Sequence, residues 1–441
     1  MSEQTMSFCP ECNQEFQKYT DDWCRPCNST HFKNDFDKWT SGNATIDKFI
    51  QNGQLNADIW KVIEWIPYDR FQDIKQIAKG GYGTIYYAKW VDGCIEGWDI
   101  KNQQWKRSGQ FEVILKKFDG IVDISEDFLN EMEIHSRIID NELLTVLFYG
   151  ITKDPETHEY MMVLYYYKGG NLRNYLNNNF YNIDWDKKLY YLKNLADKFS
   201  KIHKLDIVHR DFHPGNILKE GNYIYISDFG LSKLITENIK NPQKNTISGV
   251  LPYIAPEVLI GGEYTKAADV YSFAFVAYEL ITGLPPYHDV PHDKDLAFKI
   301  CNGFRPKIPF RTPKLITQII MRCWDARITH RPTFDKLFWE LDKYLEDYWE
   351  NNKSNTNEIT IQIKEAEEFS KNQTTIDTTT TTPINYKTHS QAIYTSRLLN
   401  FSNLPKPKND ENFEKKLEEL TESFYQINAS DEDDDLDTFD L

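Results

Sequence analysis

The 441-residue chain predicts an α+β molecule with two unequal lobes. Two observations carry that expectation. Segments rich in β-branched and aromatic residues come first, at Phe71 to Ile77, Thr84 to Trp90 and Gln110 to Phe118, and a buried-type strand follows at Tyr160 to Tyr166. Helical periods dominate afterwards, at Asp186 to Lys204, Ala267 to Thr282 and Thr317 to Asp325. One helix interrupts the strand-rich part: Ser125 to Ile138 opens on a capping-type serine and repeats Phe128, Met132 and Ile134 or His135 at helical spacing.

Composition divides the chain into four segments: a cysteine-bearing module at 1–33, a polar connector at 34–67, an apolar and aromatic domain at 68–348, and an acidic tail at 349–441. The tail is expected to be disordered. Its asparagine-rich run Asn351 to Asn357, its threonine run Thr378 to Thr382 and its acidic end Ser430 to Asp435 lack the apolar surface that offsets ordering entropy. Phe413, Leu417, Leu420 and Phe424 are the exception, spaced to line one face of a short helix. The net charge of −16 argues against binding to a nucleic-acid backbone, and no apolar run is long enough to span a bilayer, so a soluble cytoplasmic protein is expected. Residues 351–441 hold 18 acidic and 9 basic side chains and so supply −9 of the total charge.

Cys9-x-x-Cys12 and Cys24-x-x-Cys27 lie eleven residues apart, in turn-forming surroundings. Two such knuckles suit a structural Zn²⁺ held by four thiolates, with no open position for chemistry. Two disulfides or four unliganded thiols are the other readings, and His31 is an alternative ligand or a surface histidine.

Three motifs follow in order: His209-Arg210-Asp211-Phe212-His213-Pro214-Gly215-Asn216-Ile217, then Asp228-Phe229-Gly230, then Ala255-Pro256-Glu257. They put a base-type carboxylate (Asp211), an amide (Asn216) and a second carboxylate (Asp228) close together in sequence. Phosphoryl transfer needs such a set, to orient a hydroxyl and to hold Mg²⁺ through oxygen ligands.

In order and spacing these motifs resemble the catalytic loop, metal-binding loop and substrate-platform anchor of eukaryotic protein kinases, and most closely the tyrosine-kinase-like families expanded in filamentous fungi. The resemblance implies the bilobal protein kinase fold, a β-rich N-lobe and a helical C-lobe, with ATP and Mg²⁺ as cofactors and protein hydroxyl groups as substrates. It extends to Asp269-Val270-Tyr271-Ser272-Phe273, to Cys323-Trp324-Asp325 and to Arg331-Pro332-Thr333, with Arg331 implied as the ion-pair partner of Glu257. Ala78-Lys79-Gly80-Gly81-Tyr82-Gly83 resembles the glycine-rich loop, with Ala78 in place of the first glycine. Gly80, Gly81 and Gly83 would keep side chains away from phosphate. Lys116, in Val113-Ile114-Leu115-Lys116, is implied as the lysine on the phosphates and Glu131 as its helix partner. Lys117 takes that role if the strand slips by one residue, and Glu133 is the fallback acid. Further nucleotide contacts are implied at Ile85, Leu164, Tyr165, Tyr167 and Leu218.

Four departures matter: Ala78, Ile114 where a small alanine usually admits adenine, His213 where a lysine normally neutralises the transferring phosphate, and Val250 where a threonine normally bonds the aspartate. Arg210 would pair with a phosphorylated activation segment at Thr246 or Ser248. Serine or threonine is the expected acceptor, on protein substrates, with the cysteine module and the tail as sites for protein partners. The rivals are a pseudokinase scaffold, a tyrosine kinase and a small-molecule phosphotransferase of the Asp-x-His-x-Gly-Asn type.

Overall fold

The computed structural model describes residues 8–16, 23–58, 61–80, 83–118, 126–138, 145–234, 247–351, 357–376 and 387–421. The chain forms two compact units, Met1–Lys168 and Gly169–Leu441. No helix among the described residues is long and apolar enough to cross a membrane.

The first unit opens with α1 (Arg25–Lys33), whose fixed-φ Pro26 in the first turn suits a helix start, and α2 (Ala44–Leu55), capped by the Asn43 side chain on the N–H groups of Thr45 and Ile46. Strands β1 (Glu64–Trp65), β2 (Phe71–Gly80), β3 (Gly83–Trp90), β4 (Ile95–Asp99), β5 (Gln104–Arg107) and β6 (Phe111–Lys117) follow, then α3 (Glu126–Ile138), β7 (Phe148–Lys153) and β8 (Tyr160–Tyr165). Six strands form one sheet in the order β1-β7-β8-β6-β3-β2, parallel only between β1 and β7. Alternation along the strands sends Ala88, Trp90, Val113, Leu115, Met161 and Val163 into one core.

Residues 34–67, expected as a connector, contribute α2 and β1, and β1 is a strand of that sheet. Between β3 and β6, where the sequence pattern predicts no strand, the chain forms the β4–β5 hairpin. It packs against the cysteine module. Trp23, Phe32, Ala57, Val62 and Ile95 form a second core, Trp105 stacks on Phe32 at 4.1 Å between ring centroids, and Trp98 stacks on His31 at 3.9 Å.

In the second unit, the helices are α4 (Leu172–Asn179), α5 (Trp185–Lys204), α6 (Pro256–Leu259), α7 (Lys266–Thr282), α8 (Lys294–Cys301), α9 (Lys314–Cys323), α10 (Phe334–Asn351) and α11 (Glu358–Ile376). Between α5 and α6 lie β9 (Ile207–Val208), β10 (Ile217–Glu220), β11 (Tyr223–Ile226), β12 (Lys233–Leu234) and β13 (Ile247–Gly249), and β14 (Arg397–Leu399) comes last. Helix α7 is buried from Ala268 to Thr282, as its almost unbroken apolar sequence requires. It ends at Gly283 (φ +71°), where a Cβ would lie 2.7 Å from the Phe180 ring.

The expectation of a disordered tail is corrected for residues 357–376 and 387–421. Ile359 and Ile363 of α11 are buried, β14 pairs with β13, and residues 413–421 are helical with Phe413 buried. The helix at 413–421 is the expected exception through Phe413, Leu417 and Leu420; the other ordered residues were missed because their apolar side chains are few and sit at tertiary contacts. The threonine run, the acidic end and Phe424 lie outside the described residues, as do all but Asn351 and Asn357 of the asparagine-rich run.

Because the module shares its core with the hairpin, Trp105→Ala is expected to reduce hydrogen-exchange protection of residues 23–36 by about 2 kcal/mol, leaving the six-stranded sheet unaffected. Unchanged protection of that stretch would show that the hairpin does not support the module.

Candidate active site

In the first unit, register decides which lysine is buried. Lys116 lies opposite Ile85 on one side and Met162 on the other, so with Ile114 and Leu164 it occupies the sheet face away from the Val113 and Leu115 core. Its Nζ donates to both Glu131 carboxylate oxygens at 2.7 Å, with Lys116 5% and Glu131 0% exposed. The fallback residues are engaged elsewhere: Lys117 pairs with Glu159 at 2.7 Å, and Glu133 with Arg137 on the surface. A buried carboxylate is costly unless paired, which accounts for the bidentate contact.

Ala78 lies opposite Ile85, and Gly80 opposite Gly83, in the β2–β3 hairpin, with Gly81 outside the described residues. Gly83 has a structural reason of its own: a Cβ there would lie 2.4 Å from the Lys117 carbonyl oxygen. Leu164 is buried at the end of β8, and the Tyr165 and Tyr167 rings meet at 4.8 Å.

In the second unit, the catalytic-type loop hangs from α7. Asp269 accepts the N–H groups of His209 at 2.9 Å and Arg210 at 3.1 Å and lies 2.9 Å from His203 Nε2. That anchor holds Arg210 at φ +70°, a conformation few non-glycine residues adopt, and aims the next residue, Asp211, inward. Asn216 Nδ2 donates to the Asp211 carbonyl at 3.0 Å and to Oδ2 at 3.2 Å. The Asn216 carbonyl in turn accepts from Ser227 N–H at 2.9 Å and Ser227 Oγ at 3.0 Å, which ties it to the residue before Asp228 (φ +62°). Leu218 is half-buried on β10 opposite Tyr225. Arg331 forks onto Glu257 at 2.6 and 2.7 Å, both buried.

Of the departures, His213 Nδ1 accepts the Gly215 N–H at 3.0 Å, so the proton of its neutral ring sits on Nε2, which lies 3.7 Å from Asp211 Oδ1. Val250 is buried, and Gly249 before it has φ +134°, with room for a Cβ only 3.2 Å from Asp211 Oδ1. Ser248 lies in β13 opposite Leu398, Arg210 stacks 4.5 Å from the Tyr264 ring, and Thr246 lies outside the described residues. Sequence reasoning missed a residue at Asp211: Ser396 Oγ donates to Oδ2 at 2.5 Å. No period or motif marks that serine.

At the N-terminus, the sulfurs of Cys9, Cys12, Cys24 and Cys27 all lie within 4.8 Å of one another, with Cys9–Cys27 at 3.7 Å and Cys12–Cys24 at 3.6 Å. The first pair sits on a tight turn in which Asn13 N–H bonds the Cys9 carbonyl, and the second opens α1. His31 is engaged elsewhere, 3.0 Å from Glu11.

A family model described as protein tyrosine and serine/threonine kinase matches residues 71–341. Among curated relatives, a candidate serine/threonine-protein kinase/receptor of Acanthamoeba polyphaga mimivirus is 30% identical over 72% of this chain and 19% of its own length. The probable serine/threonine-protein kinase drkC of Dictyostelium discoideum is 29% identical over 65% of this chain and 37% of its own. Tyrosine-protein kinase SPK-1 of Girardia tigrina is 24% identical over 64% and 55%. The chain thus spans between about a fifth and just over half of these relatives.

Burial lowers the pKa of His209 below its ordinary 6.5, outweighing the opposing pull of Asp269, Asp211 and Asp228. Its Nε2 donates to the Ser227 carbonyl at 3.1 Å, and its Nδ1 accepts the Asp211 N–H at 3.3 Å, a pattern only the neutral ring satisfies. Burial lowers His292 in the same direction. The unfolded chain therefore binds more protons than the folded one just below pH 6.5; this contribution to stability is complete above that pH and is lost as pH falls toward the folded pKa. Urea midpoints are expected to fall between about pH 7 and pH 5.5. A midpoint that rose across that window would contradict the neutral assignment.

Proposed function

Because the chain belongs to the protein tyrosine and serine/threonine kinase family, we propose that it transfers the γ-phosphoryl group of ATP to serine or threonine hydroxyls of proteins. The observation that carries this reading is Asp211, a carboxylate anchored through the Asp269-bound backbone and bonded to Asn216. Asp211 orients the acceptor hydroxyl and takes its proton. Lys116, aligned by Glu131, binds the ATP phosphates, while Ala78, Gly80, Gly81, Gly83, Ile85, Leu164, Tyr165, Tyr167 and Leu218 contribute the nucleotide contacts.

Asn216 and Asp228 are fitted to hold Mg²⁺. The Asn216 side-chain nitrogen is committed to Asp211, which leaves the side-chain Oδ1 for a hard cation, and Asp228 adds a carboxylate. The metal supplies charge neutralisation at the phosphates. His213 offers a neutral Nε2–H donor in place of a full positive charge. That favours slower transfer than a lysine would give, with no loss of the acceptor-orienting carboxylate.

The cysteine cluster supports a structural Zn²⁺. A tetrahedral thiolate site with Zn–S near 2.3 Å requires sulfurs about 3.8 Å apart, close to the separations in two of the pairs. Burial raises the Cys24 and Cys27 thiols, while the hydrogen bond from the Gln14 backbone lowers Cys12.

Asp211→Asn is expected to lower kcat for peptide phosphorylation by ~100-fold or more, and Asp228→Asn to weaken Mg²⁺-dependent nucleotide binding as well. Transfer at the wild-type rate in Asp211→Asn would sink the assignment. Metal analysis of the reduced protein is expected to find one zinc per chain, lost in Cys12→Ser and Cys24→Ser; absence of zinc in the wild type would remove the metal claim alone.

A further inference from the structure

The tail returns to the acceptor site. β13 leads into the Ala255-Pro256-Glu257 anchor, and β14 lies antiparallel along it, with Gly249 opposite Arg397, Ser248 opposite Leu398 and Ile247 opposite Leu399. Backbone bonds then run upstream: His389 N–H donates to the His288 carbonyl at 2.8 Å, and His292 N–H to the Gln391 carbonyl at 3.0 Å. Tyr394 is the main side-chain anchor. Its hydroxyl donates to the Pro286 carbonyl at 2.9 Å, its ring stands edge-on to His292 at 4.8 Å, and Arg173 donates to its carbonyl at 3.1 Å while lying over the ring. Arg173 is itself held by buried Glu279 at 3.0 Å. Beyond the serine, Arg397 donates to the His292 carbonyl at 2.6 Å, and Leu399 is buried.

These contacts fix the chain on both sides of Ser396. Its Oγ donates to Asp211 Oδ2 at 2.5 Å and lies 3.3 Å from His213 Nε2. His213 Nδ1 accepts from Gly215, so Nε2–H donates to the serine oxygen. The hydroxyl hydrogen therefore points at the carboxylate, ready to pass to it, and the oxygen keeps a lone pair for attack.

We propose that Ser396 is this chain's own phosphoacceptor, modified in cis, and that residues 387–399 occupy the acceptor site until it is modified. The proposal rests on the kinase reading above. Ser396 Oγ attacks the γ-phosphorus of ATP; the Oγ–P bond forms, the bond from that phosphorus to the β,γ-bridging oxygen breaks, and ADP leaves with the electron pair. The hydroxyl proton passes to Asp211. The product places roughly two negative charges beside the Asp211 carboxylate, so repulsion loosens the segment and frees the site for other proteins. The same contacts define the acceptor peptide as a serine with an aromatic residue two positions before it and an aliphatic residue three positions after it.

The test uses the full chain, treated with phosphatase, freed of it, and incubated with Mg²⁺ and ATP, with casein as an external acceptor and mass spectrometry locating the phosphate. Phosphate is expected on Ser396, with a rate constant unchanged over about 100-fold dilution, as an intramolecular step requires. Tyr394→Ala and Leu399→Asp are expected to slow that modification about tenfold or more and to raise transfer to casein, because the competing segment is loosened. Casein phosphorylation with Ser396 unmodified, or phosphate on Thr395 alone, would overturn the proposal and leave the kinase reading standing. A rate that fell in proportion to dilution would overturn the intramolecular assignment. No transfer to either acceptor would overturn both readings.

Discussion

Asp269 stands 1% exposed in the first turn of α7 and spends its charge on two backbone N–H groups, those of His209 and Arg210, with His203 alongside. A carboxylate taken out of water is tolerable only when its oxygens are satisfied, so the loop and the helix hold each other in place. The loop could not otherwise keep Arg210 in a left-handed conformation, and without that turn Asp211 would not point inward. From Asp211 the hydrogen bonds continue to Asn216, and from Asn216 to Ser227 beside Asp228. One buried charge thus sets the position of Asp211 and, through Asn216 and Ser227, of the chain leading to Asp228, the residues proposed as proton acceptor and metal ligands. The Arg331–Glu257 pair performs a similar service for the start of α6, joining it to the residues before α10.

Outside this frame the chain adds two attachments, one to each unit. The cysteine module is too small to bury a core alone, and it obtains one from the β4–β5 hairpin and from Ala57 and Val62. The tail follows another strategy. It contributes few apolar residues and relies on backbone pairing and polar anchors: β14 on β13, Asn409 Nδ2 on Asp325 at 2.8 Å, and Glu414 on Arg327 at 2.6 Å. Gly303 permits the close approach, since a Cβ there would lie 2.4 Å from the Asp410 nitrogen. Contacts of this kind are individually weak.

Much of the core was legible in the sequence, because its signals are local. The strand Phe111–Lys117 is legible from its β-branched and apolar residues, although only the observed register decides between Lys116 and Lys117, and the unbroken apolar run of α7 announces a central helix. The motif order also brought Asp211, Asn216 and Asp228 to one unit. What escaped depends on distant partners. β14 is three residues long, too short to show a period, and Ser396 acquires meaning only from Asp211, 185 positions earlier. The hairpin at 95–107 was masked by its interspersed charged residues, of which Lys101 and Lys106 are exposed while Trp98 and Trp105 pack. For the tail, composition averaged over 349–441 hid two ordered stretches between low-complexity runs.

The claim on which everything else rests is that Asp211 faces an alcohol of the serine or threonine type. Phosphoamino-acid analysis of a mixed protein substrate, after incubation with the full chain, Mg²⁺ and labelled ATP, tests it most directly. The account predicts phosphoserine and phosphothreonine dependent on the divalent cation; label confined to phosphotyrosine, or no protein-bound label, would contradict it.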